Sequence, residues 1–351
     1  MRLNRPYLIT RSLCPENMES PIRFLRGPVT PTEYFYRRNH FTYPDLSAQS
    51  YQVHIDGLVN RPRTFTFEEI RSLKSREVTT VLECAGNRRN YFRPRVYGER
   101  WEDGALSQGV WQGVFLGTLL AAVGMQDNVR EIVFTGWDHG ESNNVPGQYH
   151  FQRSLPLNAA LDPDTIIAHS YNGLSIPVKH GHPLRLIVPK WYAMASVKWL
   201  KQITAIGDSF GGPFQTVDYN YYPDPVTDVG KYPVTTMHVN SVIQYPLDYS
   251  VLRLGIHQVE GIAWTGKGMI TKVEVSLDNG MTWSEAFLKQ STSRYSWREW
   301  LFPWEVSEVG TYTIIVRARD SSGRIQPFVP MWNRMGYGYN GMSKVHVKIL
   351  I

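Results

Sequence analysis

Past the Pro- and Tyr-rich stretch DYNYYPDPVTDVGKYP (218–233) the chain changes period, and this most restricts its fold. VLRLGIHQVEGIAW, TKVEVSLDNGMTW, TYTIIVRARDSSG and KVHVKILI alternate apolar and polar residues. Between them stand Asp278-Asn279-Gly280 and Ser321-Ser322-Gly323 turns. Short alternating strands with tight glycine turns predict a small all-β unit, an immunoglobulin-like β-sandwich without an inter-sheet cysteine pair, over 235–351.

Before that stretch, helical and strand patterns mix. YQVHIDGLV (51–59) alternates and closes at Asp56-Gly57. TFEEIRSL (66–73) has a threonine cap with glutamate three residues on, the capping-box pattern. VFLGTLLAAVG (114–124) has helical spacing and a glycine stop, whereas VTTVLEC, EIVFTGWD and PLRLIVP read as buried strands. The expectation is α+β overall: a mixed α/β domain over 46–234, then the sandwich. Residues 1–45, rich in Pro, Arg and aromatics without sustained periodicity, are expected to be an irregular arm packed on the first domain.

The net charge of +6 comes from scattered Lys and Arg, with no basic tail or nucleic-acid motif, so no nucleic-acid partner is expected. A site for a small anion or a phosphate-bearing cofactor fits the excess better. No apolar run is long enough to span a bilayer, and the N-terminus lacks the apolar core of a secretory signal. The expected location is cytoplasmic, or periplasmic if the chain is processed. Two cysteines, Cys14 and Cys84, make no disulfide framework.

Cys84 has the sharper context. It ends a β-prone run in TTVLECAGNRRN (79–90) and enters Ala85-Gly86-Asn87, where glycine permits a tight turn and close approach of a ligand. Arg88 and Arg89 follow, and fixed positive charge there is expected to lower the thiol's pKa. Two uses stay open on the residues alone: a nucleophile with a histidine base, or a ligand to a soft metal facing an anionic substrate.

LECAGNRR resembles the cysteine motif of the sulfite oxidase family of molybdopterin enzymes, bacterial-type and without a haem domain, and the resemblance runs in order from about residue 33 to the end. It implies that Cys84 binds molybdenum. In EYFYRRNH it implies that Arg38 faces a substrate oxyanion while Asn39 and His40 hold the pterin. Trp101 in ERWEDG matches a tryptophan lining the substrate pocket, and Asp138 in GWDHG a pterin contact. His180 and Arg185 in KHGHPLRL, with Ser196 and Lys198 in MASVKWL, match positions used for the pterin and its phosphate. Tyr219 in FQTVDY matches the active-site tyrosine, and Arg89 joins Arg38 in neutralising the anion.

The implied function is oxygen-atom transfer to a small anion, sulfite to sulfate, with no haem. Electrons would go to a separate acceptor such as a cytochrome, and the resemblance also implies a homodimer. In MWNRMGYGYNG the chain departs from the vertebrate and plant enzymes, with Met335 where they carry an arginine and Arg334 one residue earlier. The alternatives are an S-oxide or N-oxide reductase with the same cofactor, or a non-catalytic binding protein with a decayed site.

Overall fold

The computed structural model describes residues 7–351, so the signal reading of the first six residues lies outside the described residues. No described helix is long and apolar enough to cross a membrane. The arm is not irregular throughout. It begins with an antiparallel hairpin, β1 (Ile9–Leu13) and β2 (Glu16–Glu19). A lone two-stranded hairpin is marginal in water, and this one is held by tertiary bonds that local periodicity does not reveal. The backbone of Met18 pairs both ways with Arg37, at 2.9 and 2.8 Å, and Asn17 and Glu19 are buried.

β3 (Gln52–Gly57) alternates buried Val53 and Ile55 with exposed neighbours and pairs with β4 (Arg63–Thr66). Thr66 then caps α1 (Phe67–Ser72), and Glu69 completes the capping box, so two end donors are satisfied reciprocally. β5 (Ser75–Glu83) and β6 (Leu106–Phe115) form a long antiparallel pair. α2 (Leu116–Val123) buries Leu116, Leu119, Leu120 and Val123, one helical face, and stops at Gly124 with φ +69°.

β7 (Glu131–Glu141) and β8 (Gln148–Pro156) follow, then β9 (Ile166–Tyr171), β10 (Leu174–Ser175), β11 (Arg185–Ile187) and β12 (Leu200–Ile206). One sheet runs β4-β3-β12-β7-β8. The other runs β10-β9-β6-β5, with β11 against β9. Cys84 is the first residue beyond β5.

After a short pair, β13 (Asn220–Tyr221) with β14 (Tyr232–Pro233), the chain enters two facing sheets. Their strands are β15 (Asn240–Tyr245), β16 (Ser250–Arg253), β17 (Gly255–Trp264), β18 (Ile270–Ser276) and β19 (Ser284–Glu285). The last four are β20 (Phe287–Leu288), β21 (Arg298–Val306), β22 (Gly310–Asp320) and β23 (Ser343–Leu350). The orders are β15-β17-β21-β20 and β16-β23-β22-β18-β19. Val259 and Trp300 of one sheet share a core with Val273, Ile314 and Val347 of the other, as in a sandwich.

The larger core does not end at the linker. Val242, Ile262, Trp264, Trp297 and Tyr337 belong to the same apolar cluster as the first domain's helix and strands. This contact brings the 335–339 loop onto the cysteine loop, where the Gly338 N–H donates to the Ala85 carbonyl at 2.7 Å.

Candidate active site

At the end of β5 the backbone turns sharply, with the N–H of Asn87 on the Cys84 carbonyl at 2.8 Å and that of Arg89 on Gly86 at 3.0 Å. The Cys84 N–H is held by Ala105 at 2.9 Å. Arg88 takes a left-handed conformation, φ +64°, and this sends the two neighbouring arginines in different directions. Arg88 leaves the cysteine: it bonds Asn240 Oδ1 and the Gly341 carbonyl, pairs with Asp103 and lies over Tyr339. Arg89 stays. Its Nε faces the carbonyls of Met335 and Gly336 at 3.1 and 3.2 Å, and its Nη1 that of Glu99 at 3.3 Å. A Cβ on Gly86, Gly98 or Gly336 would come within 3 Å of this side chain, so three glycines make its seat.

The sequence-based expectation for the thiol is therefore corrected. Burial pushes the Cys84 pKa up; Arg38 and Arg89 pull it down but do not win, and Arg88 takes no part. Charge is favoured here only when something replaces the proton.

Cys84 stands where two cavities meet. The inner one is lined by every residue expected to hold a cofactor: Asn39, His40, Cys84, Asp138, His180, Arg185, Ser196 and Lys198. The outer one is bounded by Arg89, Met335, Tyr337 and the 141–144 loop. Arg38, His40, Cys84 and Tyr219 line both. Trp101 lines neither. It is fully buried in an apolar cluster with Cys84, Leu82 and Ala105, its indole N–H unpartnered, so its place as a pocket wall is corrected to core behind the cysteine.

Five cationic side chains (Arg37, Arg38, Lys179, Arg185, Lys198) face the inner cavity against one carboxylate, Asp138. Glu16 neutralises two from outside, pairing with Arg37 at 2.7 Å and Lys179 at 3.0 Å. Arg185 is pinned by its bonds to the carbonyls of His180 and Ser196, at 2.8 and 3.0 Å, and burial pulls its pKa down to about 10. Burial likewise raises Asp138 and lowers Lys198, whose ammonium donates to the Asn39 side chain and the Arg38 carbonyl. Asp138 Oδ1 and Arg185 Nε are buried without partners. Such orphans cost about 1–3 kcal/mol each, which favours a bound polar group.

His40 is held neutral by burial and by Arg38, and its Nε2 lies 2.7 Å from the Tyr219 hydroxyl. Tyr219 itself sits at φ +53°, a strained backbone for a tyrosine. No group of three or more His, Cys, Asp or Glu side chains suits a metal among the described residues. A metal at Cys84 must therefore bring most of its ligands with it, and the cationic lining of the inner cavity suits an anionic cofactor that does so.

The comparisons agree with that geometry. Residues 40–214 match the oxidoreductase molybdopterin binding domain and 231–350 the Mo-co oxidoreductase dimerisation domain. The mitochondrial sulfite oxidase of Mus musculus is 30% identical over 99% of this chain and 67% of its own. That of Arabidopsis thaliana is 32% identical over 94% and 91%. This chain belongs to the sulfite oxidase family of molybdenum oxidoreductases. The same family likeness extends to an NADH nitrate reductase of Phaseolus vulgaris, 30% identical over 95% of this chain and 42% of that one. Among solved structures, the sulfane dehydrogenase SoxCD from Paracoccus pantotrophus superposes with a TM-score of 0.84 at 26% identity, covering 99% of this chain and 90% of that one. The molybdopterin-binding domain implies a molybdenum cofactor, and the dimerisation domain supports a dimer.

Several site residues carried no sequence signal. Glu16 and Asn17 act through the hairpin, and Tyr337 arrives from the second domain. Arg153, behind the site in the middle of β8, belongs to no recognisable motif.

Proposed function

We propose that this oxidoreductase converts sulfite to sulfate in the outer cavity and passes the electrons to a separate acceptor such as a cytochrome. The observation that carries the reading is that Arg38, Arg89 and Tyr219 line the same outer cavity as Cys84. When bound, the molybdenum cofactor supplies the transferable oxygen atom and takes up two electrons. Cys84 would be its protein ligand, while Asp138, His180, Arg185, Ser196, Lys198, Asn39 and His40 hold its organic part.

The chain's own share is capture and aim. Arg38 attracts the anion, the free Nη2 of Arg89 assists, and the Tyr219 hydroxyl, oriented by neutral His40, contacts an anion oxygen. The neutral inner faces of Phe41 and Phe214 line the same cavity as these groups.

A second reading rests on the mouth. Met335 faces the outer cavity with no charge, and Arg334, although at its rim, is turned to Asp228 at 2.7 Å and lies over Tyr222. Glu99, Glu141 and Asp218 line the same space. A less cationic cavity suits an uncharged S-oxide or N-oxide, reduced by the same cofactor. Molybdenum-loaded protein assayed for sulfite-dependent reduction of a cytochrome and of a dye, beside sulfoxide-dependent oxidation of a reduced dye, separates the two. Absence of sulfite turnover in fully loaded protein would defeat the first reading.

A further inference from the structure

Arg153 projects from β8 into the protein and is 1% exposed. Among the described residues it forms no ion pair. It donates to the Phe214 carbonyl, and its Nε has no partner. A charge buried so incompletely satisfied is destabilising unless something nearby compensates it. Its guanidinium carbon lies 5.4 Å from the centre of the Tyr219 ring. Tyr219 stacks on Tyr337 at 5.2 Å with 23° between planes, and Tyr337 in turn lies 5.0 Å from the guanidinium carbon of Arg89. Guanidinium, phenol, phenol and guanidinium thus follow one another, and the strained Tyr219 is inside the series. Arg153 lines neither cavity, so it cannot touch a ligand there.

We infer that Arg153 is a positioning residue for anion capture: its charge, stacked behind Tyr219, seats the phenol and adds attraction for an oxyanion at the tyrosine hydroxyl. Cation–π contact fixes the ring from one neighbour while His40 fixes the hydroxyl. The inference rests on the outer cavity being the oxyanion site.

The test uses the loaded holoenzyme with Arg153→Met, which keeps volume and removes charge, Arg153→Lys, which keeps charge, and Arg38→Gln as the control for the site. Sulfite kinetics, sulfate affinity by calorimetry and the thermal midpoint are measured for each. Arg153→Met is expected to raise KM and weaken sulfate binding by roughly tenfold with no fall in the midpoint. Arg153→Lys should recover most of both. If the Met variant does not accumulate, Arg153→Gln takes its place against the lysine variant. Unchanged KM and sulfate affinity in the charge-free variant, or a lysine variant as impaired as it, overturns the inference while leaving the site reading intact. An Arg38→Gln protein with wild-type KM and sulfate affinity would instead remove the site reading itself.

Discussion

At the residue scale, Cys84 joins burial to a cationic setting, and burial dominates. A thiol held protonated in isolation is a poor nucleophile but an apt metal ligand, because a bound cation displaces the proton outright. Cys84→Ser is expected to abolish sulfite turnover and strip molybdenum while leaving the far-ultraviolet circular dichroism unchanged; a serine variant with full activity would exclude thiolate ligation. Arg38 lines both cavities. Its change to glutamine should weaken capture by roughly 1.5–3 kcal/mol, the worth of one charge-assisted hydrogen bond, read as a higher KM with little change in kcat.

At the element scale, the N-terminal hairpin braces the cofactor cavity from outside. Asn17 Oδ1 accepts the Asn39 N–H at 2.7 Å, and its amide reaches Ser12 Oγ and Glu99. The Asn39 amide in turn donates to the Glu16 carbonyl and the Tyr43 hydroxyl. Asn17→Ala leaves the buried Asn39 donor unpaired, a loss of about 1–3 kcal/mol. The expected result is a lower thermal midpoint together with reduced molybdenum occupancy, measured by metal analysis on protein from a cofactor-competent host. Normal occupancy would confine the hairpin to a stabilising role. Nothing in residues 9–19 alternates cleanly enough to announce these strands, whereas the capping box of α1 was legible, since Thr66 and Glu69 satisfy it locally.

At the scale of the whole molecule, Asp164 is a carboxylate that links the two domains. Asp164 accepts from Arg76, Arg294 and the Tyr295 hydroxyl. Burial works against its ionised form, but the Tyr295 and Arg294 contacts outweigh this and hold its pKa below the ordinary carboxylate value. A depressed folded-state pKa stabilises above the unfolded value, and that contribution disappears as pH falls through the folded one. Asp164→Asn should therefore lower the thermal midpoint near pH 7 and converge with the parent protein in acid. Equal differences at both pH values would show that ionisation is not involved. Local chemistry in the sequence sufficed for the change of period past residue 218 and for the cysteine turn, because strand alternation and glycine turns act over a few positions, whereas the residues that gather in the inner cavity were legible only through the family resemblance. Only the tertiary structure parted Arg88 from Arg89, moved Trp101 into the core, turned Arg334 aside and placed Arg153 beneath Tyr219. Those outcomes depend on burial and on partners more than sixty residues away in several cases, and desolvation and stacking exist only once distant segments have met.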